Sequence, residues 1–277
     1  MDKPEVSVVT TVYNGEPYFE RVVPSILNQT YKTFEWIIVD DGSEDGTRQL
    51  LLKLAREDSR VKVFAPGRLG YARALNYAIQ NAHGHFIVQQ DFDDLSYPER
   101  IEVQIDFLKR NPDIGAVGAY YIVRDSIRNE QYVRKPPLTH EEIVKAMVKY
   151  IPFAHTLVTF RKKAWEDVGG YPLVSDIEDL RMWIKFVKAG WRLANIPQIL
   201  GEHFVHSASF WHRQFKYIRR QRELAFVQIQ AIRELGLPRW TYIYPLGRLL
   251  YAYMPKGTKR WLRRTFIGLK EEDLHAC

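Results

Sequence analysis

Short apolar runs and helix-periodic segments take turns along the first half of this chain. Residues 6–12, 34–39, 61–64, 85–89 and 114–121 are brief runs rich in β-branched and aromatic side chains, the composition of strands buried on both faces. Between them, residues 18–28, a segment through Leu50, Leu51 and Leu54, residues 71–82 and residues 99–109 repeat apolar side chains at helical spacing. Strands separated by helices pair through right-handed crossovers, so the pattern predicts an α/β fold with a mostly parallel central sheet and helices on both of its faces. A chain of 277 residues, 46% hydrophobic, can bury such a core as one large domain or as a domain with an appended segment. After Arg124 the rhythm weakens: 134–137 reads as a loop, with helices expected at 141–148, 162–168, 178–188 and 213–234.

Charge divides the chain more sharply than hydrophobicity does. The net charge is +7, yet residues 210–277 hold 14 of the 40 Lys and Arg against 5 of the 33 Asp and Glu, leaving 1–209 slightly acidic. The expected organisation is one α/β domain over 1–209, with halves of about 1–124 and about 125–209, and a basic, aromatic, helical segment over 210–277. Arg213, Lys216, Arg219, Arg220 and Arg222, then the run 259–264, stand among Trp211, Trp240 and Trp261. Aromatic rings beside cations suit the headgroup layer of an anionic membrane. The competing reading is a solvated basic helix followed by a segment packed on the domain. Nucleic acid ranks last, because no nucleic-acid motif accompanies the patch.

The single cysteine, Cys277, allows no intramolecular disulfide, and charges of both signs at the N-terminus do not make a signal peptide. The stretch 240–254 is broken by Arg248 and falls short of the roughly 20 residues that a spanning helix needs. The expectation is a cytoplasmic protein, peripheral on the inner face of the membrane if the basic segment attaches there.

In an α/β sheet, ligands gather outside the carboxyl ends of the strands. Those ends are acidic here: Asp40-Asp41 follows the second run and Asp91-Phe92-Asp93-Asp94 follows the fourth. Five carboxylates on neighbouring strand ends repel one another unless a cation lies between them. Oxygen donors suit Mg²⁺ or Mn²⁺, which are held by one or two carboxylates plus substrate phosphates, so the pattern points to a diphosphate ligand. The alternative is turn and helix capping, to which Asp40-Asp41-Gly42-Ser43 is the more open of the two clusters.

The blocks VVTTVYN (8–14), ILNQT (26–30), IIVDDGSEDGT (37–47), GYARALN (70–76) and DFDD (91–94) occur in the order found in family 2 glycosyltransferases, which they resemble. The likeness runs from about residue 6 to 191 and implies the GT-A fold and inverting sugar transfer from a nucleotide diphosphate sugar, a UDP-sugar being favoured, to an acceptor hydroxyl on a glycan or a lipid-linked glycan. It implies that Thr11, Tyr13, Asp41, Arg73 and Asp91 bind the nucleotide. Asp93, Asp94 and His206 would hold Mn²⁺ or Mg²⁺, with either of the two aspartates as the direct ligand.

Inversion is a single displacement, so a base must take the acceptor proton. Glu178-Asp179, opening a helix after Gly169-Gly170-Tyr171-Pro172, resembles the family's Glu-Asp motif, with Asp179 as base and Glu178 orienting the acceptor or Asp179. Acidic residues also favour a helix N-terminus for local reasons. His155 is a candidate acceptor contact, and His203 shares the neighbourhood of His206.

Departures from the family pattern are Gln89-Gln90 before the acidic block, Phe92 inside it, and Ala74, where asparagine is frequent. Two other functions compete: a sugar nucleotidyltransferase, disfavoured because residues 11–17 carry no Lys or Arg for a triphosphate, and a non-catalytic nucleotide-binding protein, disfavoured by intact Asp91, Asp93 and Asp179.

Overall fold

A computed structural model describes residues 4–174, 177–206, 217–255 and 257–259. Four parallel strands, β1 (Val6–Val12), β2 (Phe34–Asp40), β3 (Val61–Phe64) and β4 (Phe86–Gln89), form one half of the sheet, ordered β3-β2-β1-β4. Every residue of β1, β2 and β4 is buried, which is why these strands read as unbroken apolar runs rather than alternating ones. Helices α1 (Phe19–Leu27), α2 (Thr47–Glu57) and α3 (Tyr71–Gln80) provide the crossovers.

The second half is mixed. After β5 (Leu95–Ser96) and α4 (Arg100–Arg110), β6 (Ile114–Asp125) turns back through β7 (Glu130–Arg134). Then α5 (His140–Met147) leads to β8 (Thr159–Arg161), α6 (Lys162–Asp167), α7 (Glu178–Lys188) and β9 (Arg192–Val205). The sheet continues β4-β8-β6-β9-β5, with β8 antiparallel to both β4 and β6, and β9 parallel to β6.

The sheet separates two cores. One holds α3, α6 and α7 against β1, β2 and β4, through residues such as Leu75, Trp165 and Trp183. The other holds α1, α2 and α4 through Ile26, Leu51 and Ile105. Helix α8 (Tyr217–Glu234) joins the first core, burying Leu224, Val227 and Ala231, and α9 (Ile243–Tyr253) packs beside it.

The sequence reading placed the four parallel strands and α1 to α7 within a few residues, but did not expect β5, β7, β8, β9 or α9. The reasons are local. Strand β8 has three residues, and β9 contains Pro197 and Gln198 looped out of its ladder with β6, so neither shows a clean period. The segment 207–209, the expected helix start at 213–216 and the basic run 260–264 lie outside the described residues.

Candidate active site

The acidic turn after β4 is braced from beneath. Gln90 and Arg100 are both fully buried. Gln90 Nε2 donates to the carbonyls of Asp91 and Asp94, each at 2.8 Å. Gln90 Oε1 accepts from Ser96 Oγ at 2.6 Å and from Arg100 Nη1 at 3.0 Å. Arg100 also donates to Gln104 Oε1 (3.1 Å) and to the Gln89 carbonyl (2.7 Å). Burial lowers the Arg100 pKa to about 9, against the pull of Asp91 and Asp94, which leaves it charged at neutral pH. The polar pair before the acidic block is therefore the turn's internal scaffold. Phe92 points the other way, into the core beside Phe19, so Asp91 and Asp93 share the opposite side of the turn.

The expected metal residues part company. Asp93 Oδ2 lies 3.0 Å from His206 Nε2, and His206 Nδ1 lies 3.2 Å from the Tyr18 hydroxyl. Arg21 donates to the Asp93 carbonyl while its guanidinium lies 3.6 Å over the Phe204 ring. Asp94 is turned from this open edge and almost fully buried: Oδ1 accepts from the Phe204 amide at 2.7 Å, and Oδ2 meets His203 Nδ1 at 3.0 Å. Burial alone would lower the His203 pKa, but the carboxylates of Asp94, Asp93 and Asp91 raise it to about 9. Asp94 thus clasps the end of β9 and so presents His206 to Asp93.

Among the described residues no three His, Cys, Asp or Glu side chains gather as a closed metal cage. A carboxylate and an imidazole 3.0 Å apart on a partly open edge nonetheless fit a divalent cation that completes its shell with phosphate oxygens.

On the parallel side, Asp41 is buried and fully engaged. Its Oδ1 accepts from the Leu69 and Gly70 amides at 2.6 and 3.0 Å, and Arg68 Nη1 lies 3.2 Å from Oδ2. Gly70, at φ +86°, begins α3 in a conformation that L side chains rarely adopt. Asp40 accepts from the Ser43 amide at 2.9 Å, the capping role that its sequence context left open. Arg68 stacks 3.7 Å over Tyr13, whose ring is 42% exposed. Thr11 ends β1 nearby, Arg73 stands exposed on α3, and Ala74 faces the core. Neither Arg68 nor its stacking was anticipated, since nothing in the sequence pairs position 68 with position 13.

A hydrogen-bonded chain joins the two sides of the site. Tyr71 donates from its hydroxyl to Asp91 Oδ1 at 2.8 Å, and the same oxygen lies 3.0 Å from His155 Nδ1. His155 Nε2 lies 2.8 Å from the Tyr171 hydroxyl. An ionised carboxylate only accepts, so Tyr71 spends its proton on Asp91 and must accept from His155 Nδ1–H. At Nε2 the ring meets the Tyr171 hydroxyl, accepting from it when the imidazole is neutral and donating to it when protonated.

Both phenols stay protonated. Tyr71 is 40% exposed, but desolvation of its hydroxyl first, then Asp91 and Glu178, push it well above its ordinary pKa; burial, Asp179, Asp91 and Glu178 do the same to Tyr171. Asp91 and Glu178 therefore act on both rings and Asp179 on Tyr171, although Asp91 and the Glu178-Asp179 pair stand far apart in the sequence.

Asp179 sits half-buried in the first turn of α7, its Oδ1 accepting from the Leu180 amide at 2.7 Å. Burial pushes its carboxyl above the ordinary aspartate range, against the pull of His155, the Leu180 amide and Arg220. The residue before this turn, Ile177, is buried in the left-handed region at φ 64°, a strained conformation for a β-branched side chain that fixes how α7 begins. Arg220 comes from α8, so the basic segment contributes to the site a charge that the sequence reading had placed on a face meeting either a membrane or solvent.

Comparisons with known proteins give the family and the fold. The model of glycosyl transferase family 2 matches residues 7–169. The protein EpsE of Bacillus subtilis (strain 168), named as a glycosyltransferase, is 33% identical over 274 residues, covering 97% of this chain and 96% of that one. The Escherichia coli protein WfaP, named as a UDP-Glc:α-D-GlcNAc-diphosphoundecaprenol β-1,3-glucosyltransferase, is 29% identical over 78% of this chain and 83% of its own. Among solved structures, the mannosyltransferase PcManGT of Pyrobaculum calidifontis, in complex with GDP-Man and Mn²⁺, superposes with a TM-score of 0.66 at 21% identity, over 98% of this chain and 83% of that one. With the strand order, the acidic turn and the sequence match in agreement, the chain is a glycosyltransferase of the GT-A fold and belongs to glycosyltransferase family 2.

Proposed function

We propose that this chain transfers a sugar, with inversion, from a nucleotide diphosphate sugar, a UDP-sugar being favoured, to a hydroxyl of a glycan or lipid-linked glycan. The observation that carries the reading is the convergence of Asp91 and Asp179 on the Tyr71–His155–Tyr171 chain: a donor-side carboxylate and a half-buried carboxylate of raised pKa flank one small region. Asp93 and His206 would hold Mn²⁺ or Mg²⁺, with Asp94 fixing β9 behind them rather than ligating. The cation, when bound, neutralises charge on the departing nucleoside diphosphate.

The remaining roles belong to the protein. Tyr13 and Arg68 form a stacked wall for the base, Thr11 and the loop held by Asp41 border it, and Arg73 faces the phosphates. Asp91 takes the ribose, and His155 orients the acceptor through Tyr171. Asp179 accepts the acceptor's proton as its oxygen bonds to the anomeric carbon and the bond to the nucleoside diphosphate breaks on the opposite face. Glu178 orients the acceptor. The UDP-Glc donor and diphosphoundecaprenol acceptor in the name of WfaP, and the GDP-Man and Mn²⁺ bound to PcManGT, support these substrate classes. A lipid-linked acceptor would place the reaction at a membrane face, which we assign to the basic, aromatic segment 210–277.

The test is a panel of nucleotide sugars with Mn²⁺, read by thermal shift for binding and by nucleoside diphosphate release for turnover. The expected result is one donor whose release Asp179→Asn abolishes while its binding persists. Release unchanged in that variant would overturn the assignment of the base.

A further inference from the structure

Helix α9 is built inside out for a helix of a water-soluble domain. Its inward side is small or polar: Thr241, at the turn before it, Pro245 and Ala252 are buried. Arg248 faces inward too, donating to Gln228 Oε1 (3.2 Å), Gln221 Oε1 (2.7 Å) and the Lys149 carbonyl (2.6 Å). The charge that interrupts the apolar stretch in sequence is therefore the bolt fastening α9 to α8 and to the end of α5.

The large apolar side chains point out. Ile243, Leu246, Leu250 and Tyr253 follow one another at spacings of three, four and three, and Trp240 extends the row by three more. They are 66%, 55%, 65% and 59% exposed, and Trp240 is 65% exposed. Exposed leucines scattered singly are ordinary, but a row of five running from the turn before α9 along one face of the helix is an interaction surface.

We propose that this stripe is where the protein docks on an anionic phospholipid bilayer, with α9 lying in the plane of the interface. Eleven residues span about 16 Å, roughly half the hydrocarbon thickness, and no helix among the described residues is long and apolar enough to cross. Trp240 and Tyr253 sit at the two ends of the stripe, as interfacial aromatics do.

Charge selects the occupant. Immediately after α9, residues 256–270 contain six Lys and Arg and no Asp or Glu, the kind of run that adds attraction for acidic headgroups to the apolar insertion. The inference deepens the membrane side of the proposed function, and is independent of its chemistry because docking is read without any sugar transfer.

The experiment is flotation of the full chain with phosphatidylglycerol-rich vesicles and with pure phosphatidylcholine vesicles, at low and high salt. The wild type should float with the anionic vesicles and be released by salt. The combined variant Ile243→Ser, Leu246→Ser, Leu250→Ser should lose at least about tenfold in partition, while its far-ultraviolet circular dichroism and its Mn²⁺-dependent nucleotide thermal shift match the wild type. Equal partition of the variant and the wild type would overturn the proposal. So would a wild type that ignores anionic vesicles, or a dimer in light scattering that the variant abolishes without any vesicle binding.

Discussion

At the scale of single residues, Asp179, the proposed base, is a carboxylate whose burial costs stability when it is ionised. In the folded chain it keeps its proton to higher pH than in the unfolded chain, because burial outweighs His155, the Leu180 amide and Arg220. Its ionisation therefore costs stability progressively as pH rises from the unfolded aspartate pKa through the folded one. Asp179→Asn removes the buried charge and keeps the shape. The expected outcome is a transfer rate lower by about 10²–10⁴-fold together with a melting temperature that rises at pH 7 and loses that advantage in acid. Parallel initial-rate and calorimetric measurements on one preparation check both halves. The residue was legible, since an acidic pair opening an apolar-periodic helix is visible in one dimension. Its surroundings were not: Tyr71, His155 and Tyr171 meet through hydrogen bonds between residues 16 to 84 positions apart.

At the scale of elements, the turn after β4 and the start of α8 each tune the site from outside it. Gln90 ties both ends of the acidic turn to Arg100. Gln90→Leu keeps the volume but strands the carbonyls of Asp91 and Asp94, so Asp93 loses its fixed approach to His206. Outer contacts of this kind are worth about 10–100-fold in metal affinity. The Mn²⁺ concentration for half-maximal turnover should rise by that factor, with little change at saturating Mn²⁺, as a titration of initial rates would report.

Arg220 acts on Asp179 by charge and lowers its pKa. Arg220→Gln should therefore move the acid limb of the rate profile to higher pH while leaving the plateau near the wild-type value. The four parallel strands and their crossovers were readable because they are buried on both faces and end in acid, whereas β9 conceals itself behind Pro197 and its bulges. Arg220 was unreadable as a site residue because a basic helix has the same periodicity whether it faces water or an aspartate.

At the scale of the molecule, the site is assembled from parts that do not otherwise need one another. Tyr13, Arg68 and Asp91 belong to the parallel half, His206 ends the last strand, and Asp179 begins a helix packed under α8. A nucleoside diphosphate entering alone brings negative charge towards Asp91, Asp93 and Glu178, so its binding should be weak without a cation. In the proposed arrangement a cation held by Asp93 and His206 would take phosphate oxygens as further ligands, tying the nucleotide to the ends of β1, β4 and β9. Binding to the folded state alone stabilises by about 2.7 kcal/mol at a hundredfold excess over Kd, which for a chain of this size corresponds to a rise in melting temperature of about 5–10 °C. UDP with Mn²⁺ should produce that rise, each alone should give little, and Asp93→Ala should abolish the synergy while leaving the unliganded melting temperature close to the wild type. A shift with UDP that survives chelation would mean that the nucleotide is held by the Tyr13 and Arg68 wall without help from the acidic turn.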